Sequence, residues 1–142
     1  MSRVKQIMQN RVLFSVGESQ TVTEVARKMA ELHVGAILVL SGDVLAGVFS
    51  ERDLMKRVVL ERRDPDRTPV REVMSSVVVT IDEEATLEEA MESMQANNCR
   101  HLPVTREGQL VAFLSMRDLM NFELANKTEE LHHMRAYIST GS

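Results

Sequence analysis

The tightest constraint on this chain is that it writes one unit twice. Sliding the sequence by 65 residues sets Ser15–Met55 against Thr80–Met120, and 11 of the 41 pairs are identical. The longest match is Ser50-x-Arg52-Asp53-Leu54-Met55 against Ser115-x-Arg117-Asp118-Leu119-Met120. Upstream the offset becomes 66 and pairs "SRVKQIM" (Ser2–Met8) with "TPVREVM" (Thr68–Met74). A chain of 142 residues is one domain's worth. Its fold must therefore be two half-size units that complete one another.

Each unit carries the same signals. Ser2 or Thr68 can cap a short helical turn, and Pro69 suits a first helical position. A short apolar stretch follows, "VLFSV" or "VVVTI". Thr21-x-x-Glu24 and Thr86-x-x-Glu89 then read as capping boxes ahead of amphipathic helices. Val22, Val25, Ala26, Met29 and Leu32 share one helical face in the first, and Leu87, Ala90, Met91 and Met94 share one in the second. Paired strands follow, "AILVLS" with "LAGVFS" and "HLPVT" with "LVAFLS", turning at "GD" and "EG". A last helix starts after Ser50 and after Ser115. The order is β-α-β-β-α, an α/β class. One copy alone leaves a sheet face bare, so two should pack about a pseudo-twofold axis, with small sheets between helices. The polar segment "ERRDPDRTP" separates the copies. The expected division is a first repeat over 1–62, a linker over 63–69, a second repeat over 70–122 and a C-terminal helix over 123–142. Met8/Met74, Met29/Met94 and Met55/Met120 sit at equivalent points, which predicts core filling.

Composition narrows the function. With 44% apolar and 27% charged residues, a net charge of −4 and no Lys/Arg block, no nucleic-acid partner is expected. The start has no apolar core and no run is long enough for a bilayer, so neither a signal peptide nor a membrane partner is expected. The lone Cys99 cannot form an internal disulfide, which fits a reducing cytoplasm, and its apolar surroundings predict packing. His132 and His133 are adjacent, so on a helix they point about 100° apart, and His33 has no equivalent in the second repeat. No metal site is expected. No Gly-rich phosphate loop and no nucleophile–base grouping is present, so the chain is not expected to be an enzyme.

The chemistry concentrates in Ser-x-Arg-Asp, at the point where a strand gives way to a helix. A helix N-terminus there favours an anion. Ser50 or Ser115 can cap the helix or donate to a phosphate oxygen. Asp53 or Asp118 can simply favour the helix dipole, or can accept two hydrogen bonds from a vicinal diol such as a ribose. Arg52 and Arg117 add a planar charged donor. A cap and a ligand site remain alternatives for either copy alone. Recurrence of the whole word favours the ligand, since a cap does not require Arg-Asp-Leu-Met.

The endings "GVFSERDL" and "AFLSMRDL", the "RHLPV" of Arg100–Val104 and the helix starts "TVTEV" and "TLEEA" together resemble a tandem pair of cystathionine beta-synthase (CBS) domains, over Val4 to about Met120. "RTPVREVM" and "EELHHMRAYI" resemble a stand-alone subfamily with no catalytic domain attached. The resemblance implies a regulatory sensor with adenine nucleotides (AMP, ADP, ATP, NAD(H) or S-adenosylmethionine) in the cleft between repeats, and no required cofactor. It implies one pocket of Ser50, Arg52 and Asp53 with Thr80, Arg100, His101, Leu102 and Pro103. A second would join Ser115, Arg117 and Asp118 to Ser15, Gly35 and Ala36. Arg100 and His101 charge the first pocket, whereas Gly35 and Ala36 bring no charge to the second. Ala112 stands where the first repeat has Gly47. The resemblance also implies a homodimer and a regulated enzyme partner. An apolar seam (Met120, Leu124, Leu131, Met134, Ile138, interrupted by Lys127) points to the tail helix as part of the interface. A ligand-free dimerisation scaffold is the competing reading.

Overall fold

The computed structural model describes residues 2–8, 13–76 and 79–140, with side chains in the last helix up to Lys127 and at Leu131. In chain order the first repeat contains β1 (Ser15–Gly17), α1 (Val22–Leu32), β2 (Ala36–Ser41), β3 (Val44–Ser50) and α2 (Glu51–Asp53), which runs on as a π-helical stretch over Leu54–Val59. The second contains β4 (Ile81–Asp82), α3 (Leu87–Ala96), β5 (His101–Arg106), β6 (Gln109–Ser115) and α4 (Met116–Thr140). Among the described residues these form two three-stranded sheets, β1-β2-β3 and β4-β5-β6, each with a parallel first pair and an antiparallel hairpin. The β-α-β-β-α order expected from the repeat is the order observed.

Local chemistry explains the boundaries. Thr21 Oγ1 accepts from the Glu24 N–H at 3.2 Å and Thr86 Oγ1 from the Glu89 N–H at 3.1 Å, which starts α1 and α3 where the sequence predicts. His33 (φ 56°) and Asn98 (φ 49°) take left-handed conformations after these helices. The N–H groups that follow, of Val34 and Cys99, close back onto Met29 and Met94 carbonyls. Glu107 and Gly108 both have positive φ in the two-residue β5–β6 loop, as a type I′ turn requires. β4 is shorter than β1 for one reason. Ser15 pairs with Leu38, but the equivalent partner of Thr80 is Pro103, which has no N–H to extend the ladder.

The two repeats exchange their leading turns. The 3₁₀ turn Val4–Ile7 docks on the second repeat, with Val4 N–H on the Ala85 carbonyl at 2.8 Å, Lys5 N–H on Glu83 at 2.9 Å and Leu87 N–H on Ser2 at 3.1 Å. The turn Val70–Glu72 docks identically on the first, through Val70 to Gln20, Arg71 to Glu18 and Val22 to Thr68. Val4 and Ile7 thus complete the core of Leu87, Ala90, Met94, Leu102, Val104 and Leu114. Val70, Val73 and Met74 complete the core of Val22, Val25, Met29, Ile37, Val39 and Phe49. Burying side chains of this size stabilises by about 1.5–3 kcal/mol each, so neither core is whole without a segment from the other repeat.

Strand alternation puts Ala36 and Leu38 on the face opposite Ile37 and Val39, yet both are buried, as is Pro103 in the second sheet. The helices cover one face of each sheet, and the opposite face is buried at these positions as well.

Two local expectations are corrected. Ser2 and Thr68 do not cap the leading turns. Arg3 and Pro69 occupy the N-cap positions, and the Thr68 hydroxyl donates to the Asp64 carbonyl at 2.7 Å. Met29, Met74 and Met94 fill cores, but Met55 and Met120 are 50% and 57% exposed. They lie on the outer side of their helices, whose inward face holds Val58 in the first repeat and Leu119 in the second.

Candidate ligand site at the two Ser-x-Arg-Asp junctions

At the first junction β3 ends in Ser50, whose extended backbone (φ −123°, ψ 166°) makes it the N-cap of α2. The Asp53 N–H donates to Ser50 Oγ at 3.2 Å, while the Ser50 N–H and hydroxyl both donate to Asp53 Oδ2 at 3.0 Å. That is a reciprocal capping box with Asp in place of Glu. Asp53 is only 8% exposed, and further donors reach it from elsewhere in the chain. The Ser75 hydroxyl lies 3.2 Å from Oδ1 and 3.4 Å from Oδ2, and Arg57 Nε stands 3.7 Å from Oδ1. Arg57 also donates through Nη1 to the Met74 carbonyl at 2.7 Å. Ser75 is held in turn by Val48, through main-chain bonds of 3.0 and 2.9 Å. Gly47 permits this approach. A Cβ there would lie 2.7 Å from both Met74 Sδ and the Ser75 carbonyl oxygen.

The second junction repeats the cap. The Ser115 N–H donates to Asp118 Oδ2 at 3.0 Å and the Asp118 N–H to Ser115 Oγ at 3.1 Å. Asp118 is half-buried. Ala112 occupies the place of Gly47 and is buried without displacing the strand. Opposite Ser115 in register stands His101, with its ring 5.3 Å from that of Phe113. Burial pushes the His101 imidazole below its ordinary value of 6.5; Asp118 and Glu51 pull it back up, and Arg100 adds to the lowering. Because Glu51 begins α2 of the first repeat, His101 lies at the seam between repeats. Within each repeat the start of the helix is tied to the residue ahead of the middle strand in the same way, by Met116 N–H on the Arg100 carbonyl at 2.8 Å and Glu51 N–H on the Gly35 carbonyl at 3.0 Å.

The remaining expected residues divide by burial. Arg52, Arg100 and Arg117 are exposed, as is Thr80, which the short β4 leaves outside the sheet. Ala36 and Pro103 are buried, and Ser15 offers its carbonyl to Lys28 Nζ at 2.7 Å. Leu102 sends its side chain into the second core, so it can present only main-chain atoms to a ligand. Sequence reasoning missed Ser75, Arg57, Glu51 and Phe113. Ser75 directly follows the 66-offset match ending at Met74, and that position was the available signal. A separate cleft of about 450 Å³ opens between Lys5, Met8, Leu13, Glu83, Arg106 and Leu110, and none of the expected residues lines it. Beside it the Arg106 guanidinium, 2.7 Å from Glu83 Oε1, holds Glu83 below the ordinary carboxylate range. Cys99 packs partly buried against the second core, which raises its thiol pKa. Among the described residues no group of three or more His, Cys, Asp or Glu is placed to hold a metal, and no helix is long and apolar enough to cross a membrane. The side chains of His132 and His133 lie outside the described residues.

Comparison with known proteins gives a consistent pattern. The family model described as CBS domain matches residues 4–60 and 70–125. The CBS domain-containing protein YhcV of Bacillus subtilis is 35% identical over 128 residues, covering 90% of each chain. A longer relative from Methanopyrus kandleri is 32% identical, and this chain spans 55% of its length. Among solved structures, a CBS-domain protein of Burkholderia ambifaria superposes with a TM-score of 0.84 at 32% identity, covering 87% of this chain and 95% of that one. The CBS domain protein PAE2072 of Pyrobaculum aerophilum, complexed with AMP, gives 0.74 at 32% identity, with 87% and 98% covered.

Proposed function

Since the chain belongs to the CBS-domain family, with two such domains in tandem, we propose that it is a regulatory module that binds an adenine nucleotide between its repeats and signals occupancy to a partner. It acts by binding and not by catalysis. One observation carries the reading. Each repeat ends its sheet in a Ser-x-Arg-Asp junction whose carboxylate is fixed by a capping box beside the inter-repeat seam, in the tandem architecture of a protein known with AMP bound. A carboxylate so fixed suits a ribose diol, while exposed Arg52, Arg100 and Arg117 supply charge for phosphates. The first site combines Ser50, Arg52 and Asp53 with Thr80, Arg100, His101 and the main chain at Leu102 and Pro103. The second combines Ser115, Arg117 and Asp118 with Ser15, Gly35 and Ala36. AMP, ATP and NAD(H) share the adenosine these sites would recognise. Equilibrium dialysis against AMP, ATP and NADH tests this: saturable binding is expected, and no binding at millimolar ligand leaves the dimerisation scaffold in its place.

A homodimer is the assembly we propose, and a specific pattern favours it. Met55 and Val59 of the first repeat are 50% and 62% exposed, and their exact repeat equivalents Met120 and Leu124 are 57% and 69% exposed. Two pseudo-twofold-related apolar stripes on one molecule suit a second copy related by a true twofold. Leu131 continues the stripe along α4, whereas the side chains of Met134 and Ile138 lie outside the described residues. Light scattering at micromolar concentration should give a dimer mass; truncation after Asn126 should weaken it. A monomeric parent ends the dimer proposal. The partner is expected to be an enzyme of the cytoplasm, a compartment in keeping with the free Cys99 thiol.

A further inference from the structure

Asp53 is already occupied by the protein's own chain. An ionised carboxylate has about four acceptor positions. At Asp53 three hydrogen-bond donors already take three of them, the Ser50 N–H and hydroxyl on Oδ2 and the Ser75 hydroxyl across both oxygens, while Arg57 Nε at 3.7 Å adds an ion-pair contact on Oδ1. A ribose diol brings two hydroxyl donors, so one resident donor has to leave. The Ser50 donors are fixed by the cap itself, three residues away. Ser75 arrives from 22 residues away and can withdraw by rotating about a single side-chain torsion. Its hydroxyl is the same chemical group that a ribose presents.

We propose that the Ser75 hydroxyl is an internal competitor for the nucleotide's ribose, so that ligand entry at Asp53 removes the side-chain tie of the Met74–Ser75 segment and loosens its remaining hold on the first repeat, the main-chain bridge between Ser75 and Val48. This rests on the reading of Asp53 as a ribose acceptor. The latch has a clear output. Met74 and Ser75 end the exchanged turn that completes the first core through Val70, Val73 and Met74, and the same segment leads directly into the second repeat. Arg57 reports the exchange, because it stands by Asp53 and holds the Met74 carbonyl. Trading one hydroxyl for another on the carboxylate costs little net hydrogen bonding. The latched state binds ribose poorly and the open state binds it well, and that difference in affinity is what a sensor needs. The apparent dissociation constant is then the intrinsic one divided by the open fraction.

Titration calorimetry of the full chain with AMP separates the outcomes. Ser75→Ala removes the competitor and should bind AMP about three- to tenfold more tightly than the parent, while Ser75→Thr, which keeps the hydroxyl, should bind like the parent. A folded Ser75→Ala protein that binds AMP no more tightly overturns the latch and leaves the nucleotide reading standing. Absence of AMP binding by both parent and Ser75→Ala overturns the nucleotide reading and the latch with it. Hydrogen exchange on the parent gives a check that needs no variant. The Met74 and Ser75 amides are bonded to Val70 and Val48 carbonyls, so AMP should speed their exchange and 2′,3′-dideoxy-AMP should not. Equal acceleration by both ligands, or none by AMP at saturation, overturns the proposal.

Discussion

Asp53 and Asp118 occupy the same letter of the same six-residue word, and each reciprocates a serine cap. Around them the two junctions diverge. Asp53 is buried and tied to Ser75, a residue of the exchanged segment; Asp118 is half-exposed and lies close enough to His101 to oppose part of the lowering that burial imposes on that imidazole. The helix that carries Asp53 has three α-helical residues, Asp53 the last of them, and then a π-helical stretch, whereas the helix that carries Asp118 runs for 25 residues, about 37 Å. A helix-dipole argument for anion binding therefore applies to α4 and not to α2. Duplication preserved the cap at both junctions, and at Asp53 the Ser75 hydroxyl adds a tie to the exchanged segment.

The comparison can be broken first at the carboxylates. Asp53→Asn places an amide where the Ser50 N–H, two hydroxyls and Arg57 all converge, and should cost about 2–4 kcal/mol in urea unfolding. Asp118→Asn should cost about 0.5–2 kcal/mol, because water can serve the half-exposed group. Equal losses would mean that the burial difference carries no energetic weight. The strand behind gives the next test. Gly47→Ala forces a Cβ against the Ser75 carbonyl and should destabilise by about 1–3 kcal/mol. The reverse change, Ala112→Gly, should cost only about 0.5–1 kcal/mol. A Gly47→Ala protein as stable as the parent would show that the Met74–Ser75 segment yields freely.

Smaller effects concern charge and pH. Arg100→Ala should weaken AMP binding by about 0.5–1.5 kcal/mol, more at low salt than at high, and leave adenosine unchanged. If AMP and adenosine both bind the variant as they bind the parent, Arg100 leaves the site. His101 is held below 6.5 in the folded chain chiefly by burial, so the unfolded chain binds more protons near and below that pH. Stability should therefore decline as pH falls from about 6.5 toward the depressed folded value. Unfolding midpoints across pH 7.5 to 5.5, about one unit either side of that value, should show a gentler decline for His101→Gln than for the parent.

The fold was largely readable because its signals are local and doubled. Thr21 and Thr86 cap where the spacing says, and Gly108 turns where "EG" predicts. What escaped was non-local. Nothing in "SRVKQIM" says that Val4 and Ile7 will finish the other repeat's core, because a short apolar turn carries no partner information. Periodicity placed Met55 and Met120 at equivalent points but could not tell an inward helix face from an outward one on so short a match. Ser75 was marked in the sequence only by its place directly after the 66-offset match. Its importance comes from a hydrogen bond across 22 residues of sequence, made possible by a missing Cβ at Gly47.

The central claim is that one junction is closed by the chain's own hydroxyl and opens to a ribose. A pair of crystal structures, without ligand and with AMP, tests it most directly. Ser75 Oγ is expected within hydrogen-bonding distance of Asp53 in the free protein, and ribose oxygens in its place with Ser75 turned away in the complex. AMP bound between the repeats while the Ser75–Asp53 contact stays intact would contradict it.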